Sequence, residues 1–347
     1  MYLNNAWYVV GWGRDLADSP IAVKLLGERL VVFRTGDGVA ALEDRCPHRH
    51  LPLSMGKLCA SGIQCGYHGA QFDATGRCVN VPTQRAVPPR AKVRHYPALE
   101  RWGWLWVWGG ETEGADPALL PDFARLTAPG HAAVGATSHV RCGYQALVDN
   151  LLDLSHVGFV HTSTIGNQQM GENGELKQVT TDRGVRVTRW VMGTPQPPTT
   201  QKLGFFPAEA LVDRSQVIEY TTPGSIVIHA GNSLAGSGVR EGLQPHALNF
   251  YIMNSVTPVD DDNCVYFWAA VRDYAIDSKQ IDSVVLNQIS QAFEEDRIVL
   301  EKQHEVLARR GDDWSVTFQA DAGVVQARRK LEQLVREEAA TKLMAAE

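Results

Sequence analysis

Alternation of apolar and polar positions dominates this chain, and the chemistry-bearing residues sit where that alternation breaks. From residue 1 to about 110 the apolar positions come in short runs: Ile21–Leu26, Leu30–Arg34, Ala40–Glu43, Gly69–Asp73 and Trp104–Trp108. Turns such as Asp37-Gly38 and Thr75-Gly76 separate them, a pattern that predicts a small all-β domain. Residues 111–130, rich in Glu, Pro, Asp and Ala, read as a linker. A helical period at Ala146–Val160 precedes longer alternating runs at Val185–Met192, Gln216–Tyr220, Ser225–Ala230, Ala247–Val256 and Val265–Arg272. Those runs predict a larger antiparallel sheet. The helical period returns over Ile281–Arg309, with Gly311 as the expected C-cap, and over Ala322–Ala340. The expected fold class is α+β. An all-β domain over 1–110 and a linker over 111–130 lead into an antiparallel sheet covered by helices, in a helix-grip-like arrangement, over 131–347.

Charge narrows the partners. With 33 Lys and Arg against 39 Asp and Glu the net charge is -6, and no basic block stands out. A nucleic-acid or anionic-membrane partner is therefore not expected. The opening Met1-Tyr-Leu-Asn-Asn-Ala-Trp7 has no basic region followed by an apolar stretch. No apolar run approaches the ~18 residues of a membrane span, and the expected address is the cytoplasm. The run Gly236-Ser-Gly238 lacks the third glycine and the following helix of a dinucleotide site, so it reads as a loop. No nicotinamide or flavin site is expected on this chain.

Cysteine and histidine carry the first chemical signal. Four of six cysteines fall in the first quarter, and two are paired with histidines as Cys46-Pro-His48-Arg-His50 and Cys65-Gly-Tyr-His68-Gly69. Each half offers one thiolate and one imidazole, matching the Cys₂His₂ division of a Rieske [2Fe–2S] centre. A structural zinc site instead groups its cysteines and histidines in separate pairs. Pro47, Gly66 and Gly69 suit tight loops whose N–H groups approach cluster sulfides. Cys59, Cys78, Cys142 and Cys264 have no such pairing and read as small buried hydrophobes. His50 reads as a solvent-facing loop residue.

The second signal is Asp149-Asn150-Leu-Leu-Asp153-Leu-Ser-His156, followed by His161. On one continuous helix Asp149, Asp153 and His156 share a face. His156 and His161 would lie roughly 140° apart, so convergence on a metal needs the helix to end or bulge, with Gly158 a plausible place. A solvated acidic face is the plainer alternative. In Ile281–Arg309 the apolar stripe runs Ile281, Val284/Val285, Ile289, Ala292/Phe293, Val299/Leu300 and Val306/Leu307. Asp296 falls on that stripe, whereas Glu294, Glu295 and Glu301 fall largely off it. A buried aspartate needs a partner, and a metal is a good one.

These motifs, with Asn5-Ala-Trp-Tyr-Val, Trp104-Leu-Trp-Val-Trp-Gly, Thr164-Ile-Gly and Asp321-Ala-Gly-Val-Val-Gln-Ala-Arg-Arg, make the chain resemble the oxygenase component of a Rieske non-haem iron oxygenase. It looks most like the branch of vanillate O-demethylase, toluenesulfonate methyl-monooxygenase and dicamba monooxygenase. The resemblance covers nearly the whole chain and is weakest between Pro195 and Gln244. It implies a [2Fe–2S] cluster on Cys46, His48, Cys65 and His68, and Fe(II) on His156, His161 and Asp296. That last set is a 2-His-1-carboxylate triad with sites left open for O₂.

Asp153 and Asn150 are assigned to the catalytic machinery but not to the metal. The resemblance implies that Asp153 bridges His156 to His68 of the partner subunit, and hence a homotrimer. Electrons from NAD(P)H come through a separate reductase, directly or by way of a ferredoxin. The implied reaction is O-demethylation of a small methoxy-aromatic acid such as vanillate. Hydroxylation of an aryl methyl group is the second reading and a pure electron-transfer Rieske protein a third. Ile228 and Asn254 are the expected pocket residues. Arg189 and Lys202, both read as solvated strand residues, are the conceivable partners for a substrate acid group.

Overall fold

The computed structural model describes residues 1–172, 174–238, 247–310 and 315–344. The chain divides into two compact units, Met1–Leu120 with Thr257–Asp260, and Pro121–Val256 with Asp261–Glu347.

Three small antiparallel sheets build the first unit. Trp7–Trp12 (β1) and Ala98–Arg101 (β10) flank Trp104–Trp108 (β11). All five residues of β11 are buried, as expected of a central strand covered on both faces. Its register sets Trp108 beside Trp7 and Trp104 beside Trp12. Both pairs meet edge to face, with centroids 5.5 and 5.3 Å apart, the arrangement favoured by the ring quadrupole. Ile21–Leu25 (β2), Glu28–Thr35 (β3), Gly38–Glu43 (β4) and His95–Tyr96 (β9) form the second sheet, in that order. Lys57–Cys59 (β5), Gly62–Gln64 (β6), Gln71–Phe72 (β7) and Cys78–Asn80 (β8) form the third. The run expected as a strand from Gly69 pairs only over β7, because Gly69 turns at φ +76°.

The second unit holds a seven-stranded sheet among the described residues. Its strands are Ala132–Val140 (β12), Glu175–Thr181 (β13), Gly184–Pro195 (β14), Leu211–Thr221 (β15), Ser225–Leu234 (β16), Leu248–Asp260 (β17, whose last four residues are those counted with the first unit) and Asn263–Arg272 (β18). They lie in the order β12-β18-β17-β16-β15-β14-β13. Alternation revealed five of the seven. It missed β12, Ala-Ala-Val-Gly-Ala-Thr-Ser-His-Val, whose small residues carry little β signal, and β13, where only two of seven residues are half-buried. Gly236 and Gly238 both have positive φ in the turn after β16.

Helices complete the unit. The helix expected over Ala146–Val160 is two pieces, Tyr144–Leu152 (α1) and the single turn Val157–Val160 (α2). Gln168–Glu172 (α3) and Pro198–Leu203 (α4) are short. Lys279–Arg310 (α5) is one helix of 32 residues, and Ala322–Met344 (α6) follows. Gly311 lies outside the described residues. The buried stripe of α5 runs through Val285, Gln288, Ile289, Ala292, Phe293, Asp296, Leu300 and Glu301. Phe293 meets Tyr266 and Trp268 of β18 edge to face at 4.9 and 5.2 Å, which fixes the rotation of the helix. The far end departs from expectation, since Val299 and Val306 are exposed while Glu301 is buried. Glu301 accepts from the Arg141 backbone and guanidinium and from Arg297. Those bonds, Arg141 first, hold its carboxyl down to about 2.

Cys142 and Cys264 are buried as expected, whereas Cys59 and Cys78 are only half-buried, and all six cysteines are free. Among the described residues no helix is long and apolar enough to cross a membrane.

Helix α6 approaches the sheet closely at Gly323, where a Cβ would meet Val187 Cγ2 of β14 at 2.6 Å. Gly323→Ala is expected to destabilise by about 1–2 kcal/mol through overpacking. In a Val187→Ala background the same change should be neutral or stabilising, because alanine is the better helix former. A double-mutant thermal unfolding series reads the sign of that coupling.

Candidate active site

Two loops of the first unit share one hydrogen-bond plan. Cys46 N–H donates to Leu51 O at 2.9 Å and His50 N–H donates back to Cys46 O at 2.9 Å. In the second loop Cys65 N–H donates to Ala70 O at 2.8 Å and Gly69 N–H to Cys65 O at 3.2 Å. The residue four after each cysteine is left-handed, φ +59° at His50 and +76° at Gly69. His50, read from the sequence as a plain loop residue, therefore closes its turn as Gly69 closes the other.

The plan puts Cys46 and Cys65 at 2% exposure and leaves His48 and His68 at the surface. The two imidazoles meet at 4.5 Å between centroids, and Tyr67 lies against His68 at 3.9 Å. Burial, the largest cause, and the neighbouring Cys65 sulfur both push the Cys46 thiol up. Two buried, unbridged sulfurs beneath two adjacent rings form a donor set that fits a Cys₂His₂ [2Fe–2S] cluster.

In the second unit the chain breaks where convergence requires it, but not at Gly158. Helix α1 ends at Leu152, and Asp153 turns extended at φ −83°, ψ 111°. Its carboxylate accepts the Ser155 N–H at 2.7 Å, a local bond that competes with helix continuation. His156 then precedes the single turn α2 and His161 follows it. Residues five apart across one turn can face one point, as they cannot on a continuous helix.

Asp296 of α5 completes the group. His156 Nε2 and His161 Nε2 are 3.2 Å apart, and Asp296 Oδ1 lies 3.4 and 3.2 Å from them. Donors about 2.1 Å from one ion at right angles would be about 3 Å apart, so this triangle fits a single divalent cation. Burial opposes charge on His156, but bonds to Asp153 and Asp296 prevail and raise its pKa to about 9. Burial likewise opposes charge on Asp296, yet His156 and His161 hold it down to about 2. The cluster therefore seeks positive charge.

Supporting residues orient the ring of His161. Its Nδ1–H donates to Glu295 Oε2 at 2.8 Å, which leaves the Nε2 lone pair toward Asp296. Glu295 is in turn held by Ser163 Oγ–H at 2.6 Å and Thr164 Oγ1–H at 2.8 Å. Asn150 Nδ2 donates to Asp296 Oδ1 at 3.1 Å. Asp153 Oδ2 stands 3.6 Å from His156 Nδ1. Asp149 is turned away, paired with Arg328 and accepting from Gln145.

The triad lines a cavity whose wall is mostly apolar, as in small-molecule sites. Ile228 lines it too. Asn254 does not: its amide donates to Ile226 O and Ile252 O and accepts from Tyr266. Of the two cations read as solvated strand residues, Arg189 is on a strand but buried, and Lys202 is exposed but on a helix. Arg189 is buried and donates to the carbonyls of Leu154 and Met170. Lys202 sits in α4 and donates to Gln288. Sequence reasoning missed Glu295, which adjoins Asp296, and Arg214, Gln216 and Asn232, polar residues on the cavity side of β15 and β16.

Comparison with known proteins agrees in both units. Residues 6–97 match the Rieske [2Fe-2S] domain, and residues 140–337 match the vanillate O-demethylase oxygenase C-terminal domain. The chain is 35% identical to a putative toluene-4-sulfonate monooxygenase system iron-sulfur subunit of Comamonas testosteroni, covering 97% of this chain and 98% of that one. It is 34% identical to a vanillate O-demethylase oxygenase subunit of a Pseudomonas species, covering 91% and 97%. Crystal structures of dicamba monooxygenase share the fold. One with 3,6-dichlorosalicylic acid gives a TM-score of 0.90 at 31% identity. Another, with non-heme iron and dicamba, gives 0.81 at 29%; both cover 98% of this chain and 99% of the other.

The left-handed turn at His50 yields a test that separates backbone from ligand roles. His50→Gly should keep the visible cluster spectrum and full stability. His50→Val should lower unfolding stability by about 1–2 kcal/mol, since a β-branched residue is strained at positive φ. Loss of the spectrum in His50→Gly would instead make His50 part of the cluster site.

Proposed function

Because the chain belongs to the Rieske oxygenase family that includes the vanillate O-demethylase oxygenase subunits, we propose that it hydroxylates the methyl carbon of a small methoxy-aromatic acid. The hemiacetal so formed collapses to a phenol and formaldehyde. The observation that carries this reading is the triad's position: three convergent donor atoms in the wall of an apolar-lined cavity. An electron carrier needs no such cavity.

The cofactors are a Rieske [2Fe–2S] cluster and a mononuclear non-haem iron, with O₂ as co-substrate. Cys46 and Cys65 would hold one cluster iron and His48 and His68 the other; His156, His161 and Asp296 would hold the mononuclear iron. That iron, when bound, supplies the activation of dioxygen for attack on a methyl C–H bond. The protein's own part is positional. Glu295 fixes the His161 ring, Asn150 steadies Asp296, and Leu154, Ile228, Phe250, Ile252 and Phe293 keep water from the methyl group.

Electrons come from NAD(P)H through a separate reductase, directly or by way of a ferredoxin. Asp153 stands between His156 and His68 of the partner subunit, in a homotrimer. A second, open cleft supports this: Asp153, Asn150 and His156 share it with Val160, Val299 and Val316, the last two exposed apolar side chains. Hydroxylation of an aryl methyl group to a benzyl alcohol is the second reading, favoured by the 35% identity to the toluene-4-sulfonate subunit.

Metal and sulfide analysis of the loaded protein should give about three irons and two sulfides per chain. Asp296→Ala should lose one iron and all turnover while its cluster spectrum stays intact; full iron content and turnover would remove Asp296 from the site. Glu295→Gln should weaken retention of that iron about 10–100-fold, read by chelator competition. Product analysis with a generic reductase decides the reaction. Formaldehyde from a methoxy-arene supports the first reading, and benzyl alcohol from a methyl-arene, without formaldehyde, replaces it by the second.

A further inference from the structure

The inward row of β15 places a cation where the cavity wall is otherwise mostly apolar. Side chains alternate along a strand, so Arg214 and Gln216 share a face with Val212, Ile218 and Tyr220, and all five are buried. Arg214 is 4% exposed and lines the same cavity as His156, His161 and Asp296. A guanidinium at such depth ordinarily has a carboxylate partner. Among the described residues Arg214 has none. Its Nη1 donates to Ile165 O at 2.9 Å and lies against Met170 Sδ, and its Nε has no hydrogen-bond partner.

The surroundings sharpen the point. Burial first, and then the neighbouring charge of Arg189, pull the Arg214 pKa down to about 10, so it stays charged at neutral pH. Asn232 is its register partner on β16. The amide oxygens of Asn232 and of Gln216 are also buried and unpaired. Both carboxylates of the cavity are engaged elsewhere, Asp296 with the two histidines and Asp153 with Ser155 N–H. The two cations considered from sequence are engaged as well, Arg189 with carbonyls and Lys202 with Gln288.

We propose that Arg214 anchors the acidic group of the substrate, so that this cavity takes aromatic anions, carboxylates or sulfonates, in preference to neutral rings of the same shape. The proposal rests on reading the cavity as the oxygenase's substrate pocket. A planar guanidinium pairs with either anion through charge-assisted N–H···O bonds. Gln216 and Asn232 can turn their amide N–H toward the same oxygens, and Ile165, Ile228, Phe250 and Phe293 face the ring.

Equilibrium binding to the iron- and cluster-loaded protein, kept anaerobic, tests it with matched pairs. The probes are 4-methoxybenzoate against 4-methoxybenzamide and 4-toluenesulfonate against 4-toluenesulfonamide. In the native protein at least one acid should bind about 10-fold or more tightly than its neutral mate, and the tighter acid distinguishes carboxylate from sulfonate. Arg214→Gln should erase that preference while the neutral affinities change less than about 3-fold, and Arg214→Lys should restore part of it. Equal binding of acid and amide by the native protein, no measurable binding of either acid, or a preference that persists in folded Arg214→Gln would each overturn the anchor. The native comparison decides even if the variant fails to fold. Preference with no turnover of any methoxy- or methyl-arene would count against the oxygenase reading alone. Turnover without preference would count against the anchor alone.

Discussion

Three electron-rich atoms held within 3.4 Å of one another in a buried place cannot be neutral to the rest of the fold. The lone pairs of His156 and His161 and the charge of Asp296 repel unless a cation or proton stands among them. Everything nearby is arranged to keep them together. Asp153 ends α1, one turn separates the histidines, and Phe293 pins the rotation of α5 against Tyr266 and Trp268. Glu295 and Asn150 then hold one ring and the carboxylate in place.

The two units solve related problems differently. In the first, buried sulfurs and exposed imidazoles come from a loop plan used twice, so geometry is set by backbone bonds and two left-handed residues. In the second, the donors come from one turn and a distant helix, so geometry is set by packing across the unit. Side-chain bonds rather than backbone bonds finish the job there.

Much of this was legible in the amino-acid order because the donors are rare residue types at unusual spacing. Cys46-x-His48 and Cys65-x-x-His68 are local, and the stripe of α5 marked Asp296 as an inward acid. What was not legible was long-range. The helix break lay at Asp153 rather than Gly158 because a side-chain bond to Ser155 N–H decided it. Asn254, expected in the pocket, was claimed by Tyr266 and two carbonyls, which no pattern along one strand reveals. Arg214 carries no signal in the sequence, since depth and the lack of a counter-charge appear only when β14, β15 and β16 are assembled. Small-residue β12 left no periodic trace at all.

The unbroken length of α5 has an evolutionary corollary. Gln288, Phe293, Glu295, Asp296 and Glu301 are spaced along one rigid rod, and an insertion of one residue between them would swing everything beyond it by about 100°. That segment can change its letters but not its length. The strands that line the cavity face no such bar, since exchange of one wall side chain leaves the residue count of its strand unchanged. Substitutions on the inward face of β15 and β16 therefore reshape the cavity wall while His156, His161 and Asp296 keep their register.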